Sequence, residues 1–216
     1  TDLQHAIGNN TLELYHQPQV CIDSGEVIGT EVLLRWNHPI LGPISPDEFV
    51  TIAENTGLIN RLSQWVFTTA CSQLRRMMDT GLKGHRLSVN FSAYDVMLEN
   101  FVTQLIEKIS EYDLRPEYFT LELTETVSVN DSKRFNSNLI ELKELGFHIA
   151  MDDFGTGYSS LTYVSRHPFD ELKIDREFVM DLDRSEKHQL IVKATIKMAN
   201  SLGLKVVAEG VENQAS

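Results

Sequence analysis

FHIAMDDFGTGYSSLTYVSRHPFDELKID, residues 147–175, decides the fold. Phe147, Ile149 and Met151 alternate with His148 and Ala150, which is the period of a strand with one face in an apolar core. Asp152 and Asp153 then stand together where that strand ends. A run of Gly, Thr, Ser and Tyr follows, leaving room for only a short helix. FDELKID (169–175) alternates again, with Leu172 and Ile174 on one face and Lys173 on the other. Strand, helix, strand in this order makes the two strands parallel neighbours. Two adjacent aspartates at the end of a buried strand are costly, so they call for a chemical reason.

The same rhythm extends in both directions. Upstream, YFTLELTE (118–125) precedes a helix carrying Phe135, Leu139, Leu142 and Leu145, stopped by Gly146. RLSVNFS (86–92) precedes a helix with Phe101, Leu105, Ile106 and Ile109. Downstream, a helix ends near Leu202-Gly203, and LKVVAEGV (204–211) reads as a strand. Nearer the start, LELYHQPQV (12–20) and VIGTEVLLRW (27–36) read as strands joined through the turn Asp23-Ser24-Gly25. Ser45-Pro46-Asp47-Glu48 predicts a capping box with proline at the first helical position. The helix it opens is interrupted near Gly57, and Leu58, Leu62, Trp65, Val66, Ala70 and Leu74 recur at helical spacing beyond it. Repeated strand–helix units imply a parallel sheet covered by helices. Seven strand-like segments in one domain favour a (β/α) barrel over an open sheet.

Composition narrows the function. The 216 residues are 42% hydrophobic, enough for one sizeable core, and no apolar run approaches the ~20 residues of a membrane span. The net charge of −12 argues against a nucleic-acid polymer or an anionic membrane as partner. It leaves open a small phosphate ligand, because a bound metal reverses the local sign. Cys21 and Cys71 lack metal spacing and read as packed thiols of a reduced, cytoplasmic protein. The seven histidines show no HExxH or HxH grouping, so a histidine zinc site is not expected. The chain begins with Thr1, as expected of a single domain, residues 1–216, cut from a larger multidomain protein.

The strand ends carry the candidate chemistry. Glu31, Asn90, Glu122, Asp152 with Asp153, Lys173 and Glu209 each lie in or just after an apolar strand and are read as pointing away from apolar neighbours in it. In a (β/α) barrel those ends converge on the face where active sites lie. A lone Glu at a strand end is usually a solvated rim residue. A polar residue on each of six strands is hard to explain that way. So many carboxylates in one partly dry mouth repel unless a counter-charge is present. Oxygen donors with one Asn carbonyl suit Mg²⁺ or Mn²⁺, and their number suggests two ions with Asp152 between them. Two such ions can clamp the attacking and leaving oxygens of a phosphodiester displacement.

These residues resemble the EAL-domain family of bacterial cyclic-di-GMP phosphodiesterases, nearly end to end. YHQPQV looks like that family's first strand, and TEVLLRW (30–36) resembles its Glu-Ala-Leu-Leu-Arg-Trp signature with Val32 in place of Ala. SVNFS, LELTE, MDDFGTGYSSL, LKID and VVAEGVE follow in the family's order. The resemblance implies a (β/α)8 TIM-like barrel with an antiparallel first strand, here lacking the last strand and helix. It implies hydrolysis of 3′,5′-cyclic-di-GMP to linear pGpG. Glu31, Asn90, Glu122 and Asp152 would hold one ion, and Asp152, Asp153 and Glu209 the second. Lys173, Glu209 and Asp153 would form the catalytic group, with Lys173 orienting the attacking water and Glu209 the other candidate base. Arg35 would pair with a ligand phosphate, and Gln17 and Leu33 would line the same pocket. Glu125 would anchor the 154–161 loop. Mg²⁺ or Mn²⁺ would activate, Ca²⁺ would inhibit, and a homodimer under regulatory or sensory domains is expected. Val32 should point away from Glu31 and crowd only the packing behind the strand.

Two other functions compete with the enzyme. A non-catalytic cyclic-di-GMP receptor would ordinarily have lost metal ligands, and none is lost here. A pure dimerisation module would need neither the ligands nor Arg35.

Overall fold

Outward-facing residues of successive strands form one apolar surface. Leu87, Val89, Phe91, Phe119, Leu121, Leu123, Ile149, Met151, Leu172 and Ile174 are all buried in a single cluster with the apolar faces of the helices. A computed structural model describes residues 2–9, 11–82, 84–124, 133–155 and 161–211, without the side chains of 161 and 162. In chain order the elements are α1 (Asp2–Ala6), β1 (Leu12–Val20), β2 (Val27–His38), β3 (Gly42–Ile44), α2 (Pro46–Asn55), α3 (Ile59–Asp79) and β4 (Arg86–Phe91). Then come α4 (Ala93–Val96), α5 (Phe101–Glu111), β5 (Phe119–Thr124), α6 (Lys133–Leu145) and β6 (His148–Phe154). The last are α7 (Leu161–Arg166), β7 (Glu171–Ile174), α8 (Arg176–Val179), α9 (Glu186–Ser201) and β8 (Lys205–Ala208).

The strands form one sheet in the order β1-β2-β4-β5-β6-β7-β8, with β3 attached to β2. β1 runs antiparallel to β2, and every later step along the path is parallel, as expected. The sheet is strongly curled. β2 and β7 are four steps apart, which is ~19 Å in a flat sheet. Yet Lys173 Nζ on β7 lies 3.1 Å from Glu31 Oε2 on β2. Side chains on the concave face therefore meet across an interior, as in a TIM-like barrel.

β2 pairs with β4 only from Gly29 to Val32, so its last residues continue past the barrel rim. That overhang is held by a second, smaller core of Leu3, Leu12, Trp36, Phe49, Ala53, Ile59 and Leu62, contributed by α1, α2 and α3 and by the ribbon itself. Val32 is buried behind its strand, opposite Glu31, as expected.

Several local expectations need correction. β3 is an eighth strand; its three residues, Gly-Pro-Ile, are too few for any periodicity to show. The Ser45 side chain makes no cap bond. Its backbone carbonyl instead accepts from Glu48 and Phe49 at 3.1 and 3.2 Å, so α2 starts at Pro46 without the box. A complete capping box forms at Ser92 and Asp95 instead. Cys71 is buried, but Cys21 is only half-buried at the β1–β2 turn. Among the described residues no helix is long and apolar enough to cross a membrane.

Candidate active site

The mouth is built by strand phase. Asn90, Glu122, Asp152 and Lys173 lie on the concave face of β4, β5, β6 and β7, near their carboxyl ends, Glu31 lies near the end of the part of β2 that pairs with β4, and Glu209 follows β8 directly. Registers place Asn90 opposite Glu122 and Thr124 opposite Asp152, so neighbouring strands deliver their polar residues at similar heights. Lys173, 1% exposed, is the hub. Its ammonium lies 3.1 Å from Glu31, 2.9 Å from Glu122, 3.0 Å from Asp152 and 2.7 Å from Glu209. Asn90 donates its amide to Glu31 Oε1 at 3.0 Å. Glu31, Asn90, Glu122, Asp152 and Glu209, expected at the metal sites, therefore reach one cluster, and Lys173 sits inside it.

Asp153 requires a separate device. Consecutive residues of a regular strand point to opposite faces. Here the β6–β7 register shifts between Met151 and Phe154, and Asp153 takes φ 54°. That left-handed conformation is uncommon outside glycine and most accessible to Asp and Asn. It turns the second carboxylate back to the same mouth, and Asp153 N donates to Asp152 Oδ1 at 3.0 Å. Ligand oxygens of Asp152, Asp153 and Glu209 then lie within 4.8 Å of one another. The adjacent aspartates are thus both usable by one ligand.

Charge is badly unbalanced at this edge. Burial would lower the Lys173 pKa, but Glu122, Asp152, Glu31 and Glu209 outweigh it and keep the ammonium charged well above the usual lysine range. Burial first, and then Glu31 and Asp152, push Glu122 well above the ordinary carboxyl value against the pull of Lys173. Glu209 is also raised, chiefly by burial. Asp153 is raised to about 6 by loss of solvent around its carboxyl, then by Asp152 and Asp175. One ammonium does not satisfy the set: among the described residues Glu122 Oε1 is buried without a hydrogen-bond partner. Clustered acceptor oxygens with one orphaned buried atom fit a hard divalent cation. Asn90 would contribute the carbonyl end of its amide.

A raised Asp153 would set a pH limit on any cation it helps to hold. Below its pKa the carboxyl keeps its proton, and a cation must displace it. Mn²⁺ affinity is therefore expected to fall as pH drops through about 6. Titrations followed by Mn²⁺ electron paramagnetic resonance from about pH 5 to about pH 8 would check this, with Asp153→Asn expected to flatten the low-pH fall. An affinity independent of pH in the wild type would remove Asp153 from the ligands.

The overhanging ribbon forms one wall. Gln17 pairs with Glu31, Tyr15 with Leu33 and Glu13 with Arg35, so all six share the mouth-side face. Gln17 is exposed, and Leu33 and Arg35 are half-buried. Arg35 donates to the Leu34 carbonyl at 2.9 Å and stands over the Tyr15 ring at 5.7 Å. Tyr15 was not among the sequence candidates. Its two-residue spacing from Gln17, on the face of Glu31 and Arg35, was the available signal. Glu125 lies outside the described residues, as does most of the loop it was expected to anchor.

The sequence matches the family described as EAL domain over residues 1–216. It is 40% identical over 214 residues to MucR of Pseudomonas aeruginosa, described as a bifunctional diguanylate cyclase/cyclic di-GMP phosphodiesterase, covering 99% of this chain and 31% of MucR. It is 40% identical over 211 residues to NbdA of the same organism, described as a cyclic di-GMP phosphodiesterase, covering 98% of this chain and 27% of NbdA. The chain thus spans about a third or less of the length of these relatives. A solved structure of the MucR phosphodiesterase in complex with c-di-GMP superposes with a TM-score of 0.92 at 40% identity, covering 99% of this chain and 87% of that one.

Proposed function

The chain belongs to the EAL-domain family, and on that premise we propose that it hydrolyses one phosphodiester bond of 3′,5′-cyclic-di-GMP to give linear pGpG, using two Mg²⁺ or Mn²⁺ ions. The observation that carries the reading is the Lys173 ammonium held within 3.1 Å of Glu31, Glu122, Asp152 and Glu209 at the carboxyl edge of the sheet. Glu31, Asn90, Glu122 and Asp152 would hold one cation, and Asp152, Asp153 and Glu209 would hold the other. Bound there, the ions supply Lewis acidity to the phosphoryl oxygens and to the attacking water.

The chain's own groups do the rest. Arg35, oriented by the Leu34 carbonyl and Tyr15, pairs with a ligand phosphate through its planar fork. Gln17 and Leu33 line the same wall. Lys173 orients the water and steadies negative charge that grows during the reaction. Glu209, raised by burial, is suited to accept the water's proton. That the domain works as a cytoplasmic homodimer, under regulatory or sensory domains, belongs to the same proposal.

The test is incubation with cyclic-di-GMP and each divalent ion, with pGpG separated by chromatography and ligand binding measured alongside. Mg²⁺ or Mn²⁺ should give product. Ca²⁺ should support binding without turnover, because it tolerates loose, higher-coordinate geometry whereas in-line displacement needs tightly held oxygens. Tight binding with no product under Mg²⁺ or Mn²⁺ would make the domain a receptor. Equal turnover in Ca²⁺ and Mg²⁺ would contradict the two-ion account.

A further inference from the structure

Two turns that carry candidate cation ligands rest on the same short helix. Gly155 follows Asp153 by two residues, with φ +104°; a Cβ there would lie 2.8 Å from Phe178 Cε2 and 3.2 Å from its Cζ. Gly210 follows Glu209 directly, with φ +70°; a Cβ there would lie 2.7 Å from Arg176 Cβ and 3.3 Å from its Cα. Both glycines are therefore required twice, by backbone conformation and by contact. Arg176 and Phe178 belong to α8, which is anchored by Val179, buried in the core. Asp175, immediately before α8, caps it by accepting from Glu177 N at 2.7 Å. Phe178 is braced from behind: its ring stands edge-on to His188 of α9, with centroids 5.7 Å apart.

We propose that Phe178 is a positioning residue for the cation held by Asp152, Asp153 and Glu209. Its ring, backed by His188, fixes the turn after Asp153, while Arg176 in the same helical turn fixes the turn after Glu209. α8 thereby sets how far apart those two carboxylates stand. The Phe178 side chain has no N, O or S donor for a cation, so its effect passes through the turns it supports. This inference rests on the reading of those three carboxylates as a cation site. It adds a specific role for a phenyl ring outside the proposed ligand set.

The experiment compares wild type, Phe178→Ala and Phe178→Leu in the whole chain. Mn²⁺ binding is followed by electron paramagnetic resonance, and the Mn²⁺ dependence of cyclic-di-GMP hydrolysis is measured in parallel. Phe178→Ala is expected to weaken binding of the more weakly held Mn²⁺ about ten-fold. It should raise the Mn²⁺ concentration for half-maximal turnover by the same factor, with kcat at saturating Mn²⁺ within about two-fold of wild type. Phe178→Leu, which refills most of the space, should fall between the two and keeps the test usable if the alanine variant fails to fold. A ring needed only for stability would lower Tm and leave the Mn²⁺ affinity of the folded protein unchanged, and that outcome overturns the proposal. If the wild type itself takes up no second Mn²⁺, the cation site and the role of Phe178 fall together. If the wild type binds two and both variants match it, only the role of Phe178 falls.

Discussion

Asp152→Asn is expected to reduce cyclic-di-GMP hydrolysis by roughly a thousand-fold while leaving the fold intact. Asp152 is 7% exposed, and its Oδ1 faces both Lys173 Nζ and Asp153 N at 3.0 Å. An asparagine of the same shape can keep an oxygen in that place, so packing and these hydrogen bonds survive. What disappears is one full negative charge at the position shared by both proposed cation sites. Neutral amide oxygens are weaker ligands for a hard divalent ion than carboxylates. Both cations should be bound more weakly, and raising Mn²⁺ should recover only part of the rate. The measurement is initial rate against Mn²⁺ concentration, beside thermal unfolding with and without the ion. The thermal midpoint without ion should stay near that of wild type, and the upward shift caused by Mn²⁺ should shrink. Wild-type turnover in this variant would show that Asp152 does not bridge two ions.

The polar edge was legible because strand phase is a strong signal. Leu121 and Leu123 are buried against helices, and period two then forces Glu122 into the interior. The same logic placed Glu31, Asn90, Asp152, Lys173 and Glu209. It could not place Asp153, because strict alternation sends that side chain away from the mouth. A positive φ and a register shift override the pattern there, and neither leaves a mark on residue type beyond an aspartate that tolerates it. Phase also says nothing of distance across a barrel. That Lys173 meets four carboxylates at once depends on the curl of the sheet, which is a sum of many small twists.

Local rules failed where a backbone group took over the task of a side chain. Ser45 has the residues of a capping box, but its carbonyl accepts from the amides of Glu48 and Phe49 and the hydroxyl is left out. Ser92 and Asp95 close a box that carries Asp where the usual pattern asks for Glu, made worthwhile because Asp95 also takes bonds from Asn60 and Ser63 on α3. Gly155 reads in sequence as a loop residue and Gly210 as part of the last strand, which in the structure ends at Ala208. Their purpose appears only once α8 is seen to press against them from a part of the chain that sequence spacing does not connect to either.

Lys173→Met is expected to separate chemistry, ligand binding and stability. In the folded chain the ammonium is the one cationic group contacting Glu31, Glu122, Asp152 and Glu209 among the described residues. Removing it leaves buried carboxylates without their counter-charge, a loss of about 3–5 kcal/mol when one partner of a buried pair is deleted. The sign of the pH dependence follows. Lys173 opposes the upward shifts of Glu122 and Glu209, so without it both should rise further. A carboxyl whose folded pKa is raised binds its proton more tightly folded than unfolded, so its stabilisation is present at low pH and is lost as pH rises through the folded value. The variant's stability deficit should therefore be large near neutral pH and shrink on acidification. Added Mg²⁺ or Mn²⁺ should also reduce it, by supplying the missing positive charge. With the ions restored, Arg35 and the cation sites can still hold the ground-state ligand, and binding of cyclic-di-GMP should fall by less than about ten-fold. Turnover should remain about a hundred-fold or more below wild type, because orienting the water and steadying developing charge matter only on the way to the transition state. Denaturant titrations across pH, ligand titrations and rates at saturating Mn²⁺ make the three readouts independent. A variant that hydrolyses like wild type would leave Lys173 a structural counter-charge alone. One that loses binding in step with turnover would place it against the ligand in the ground state.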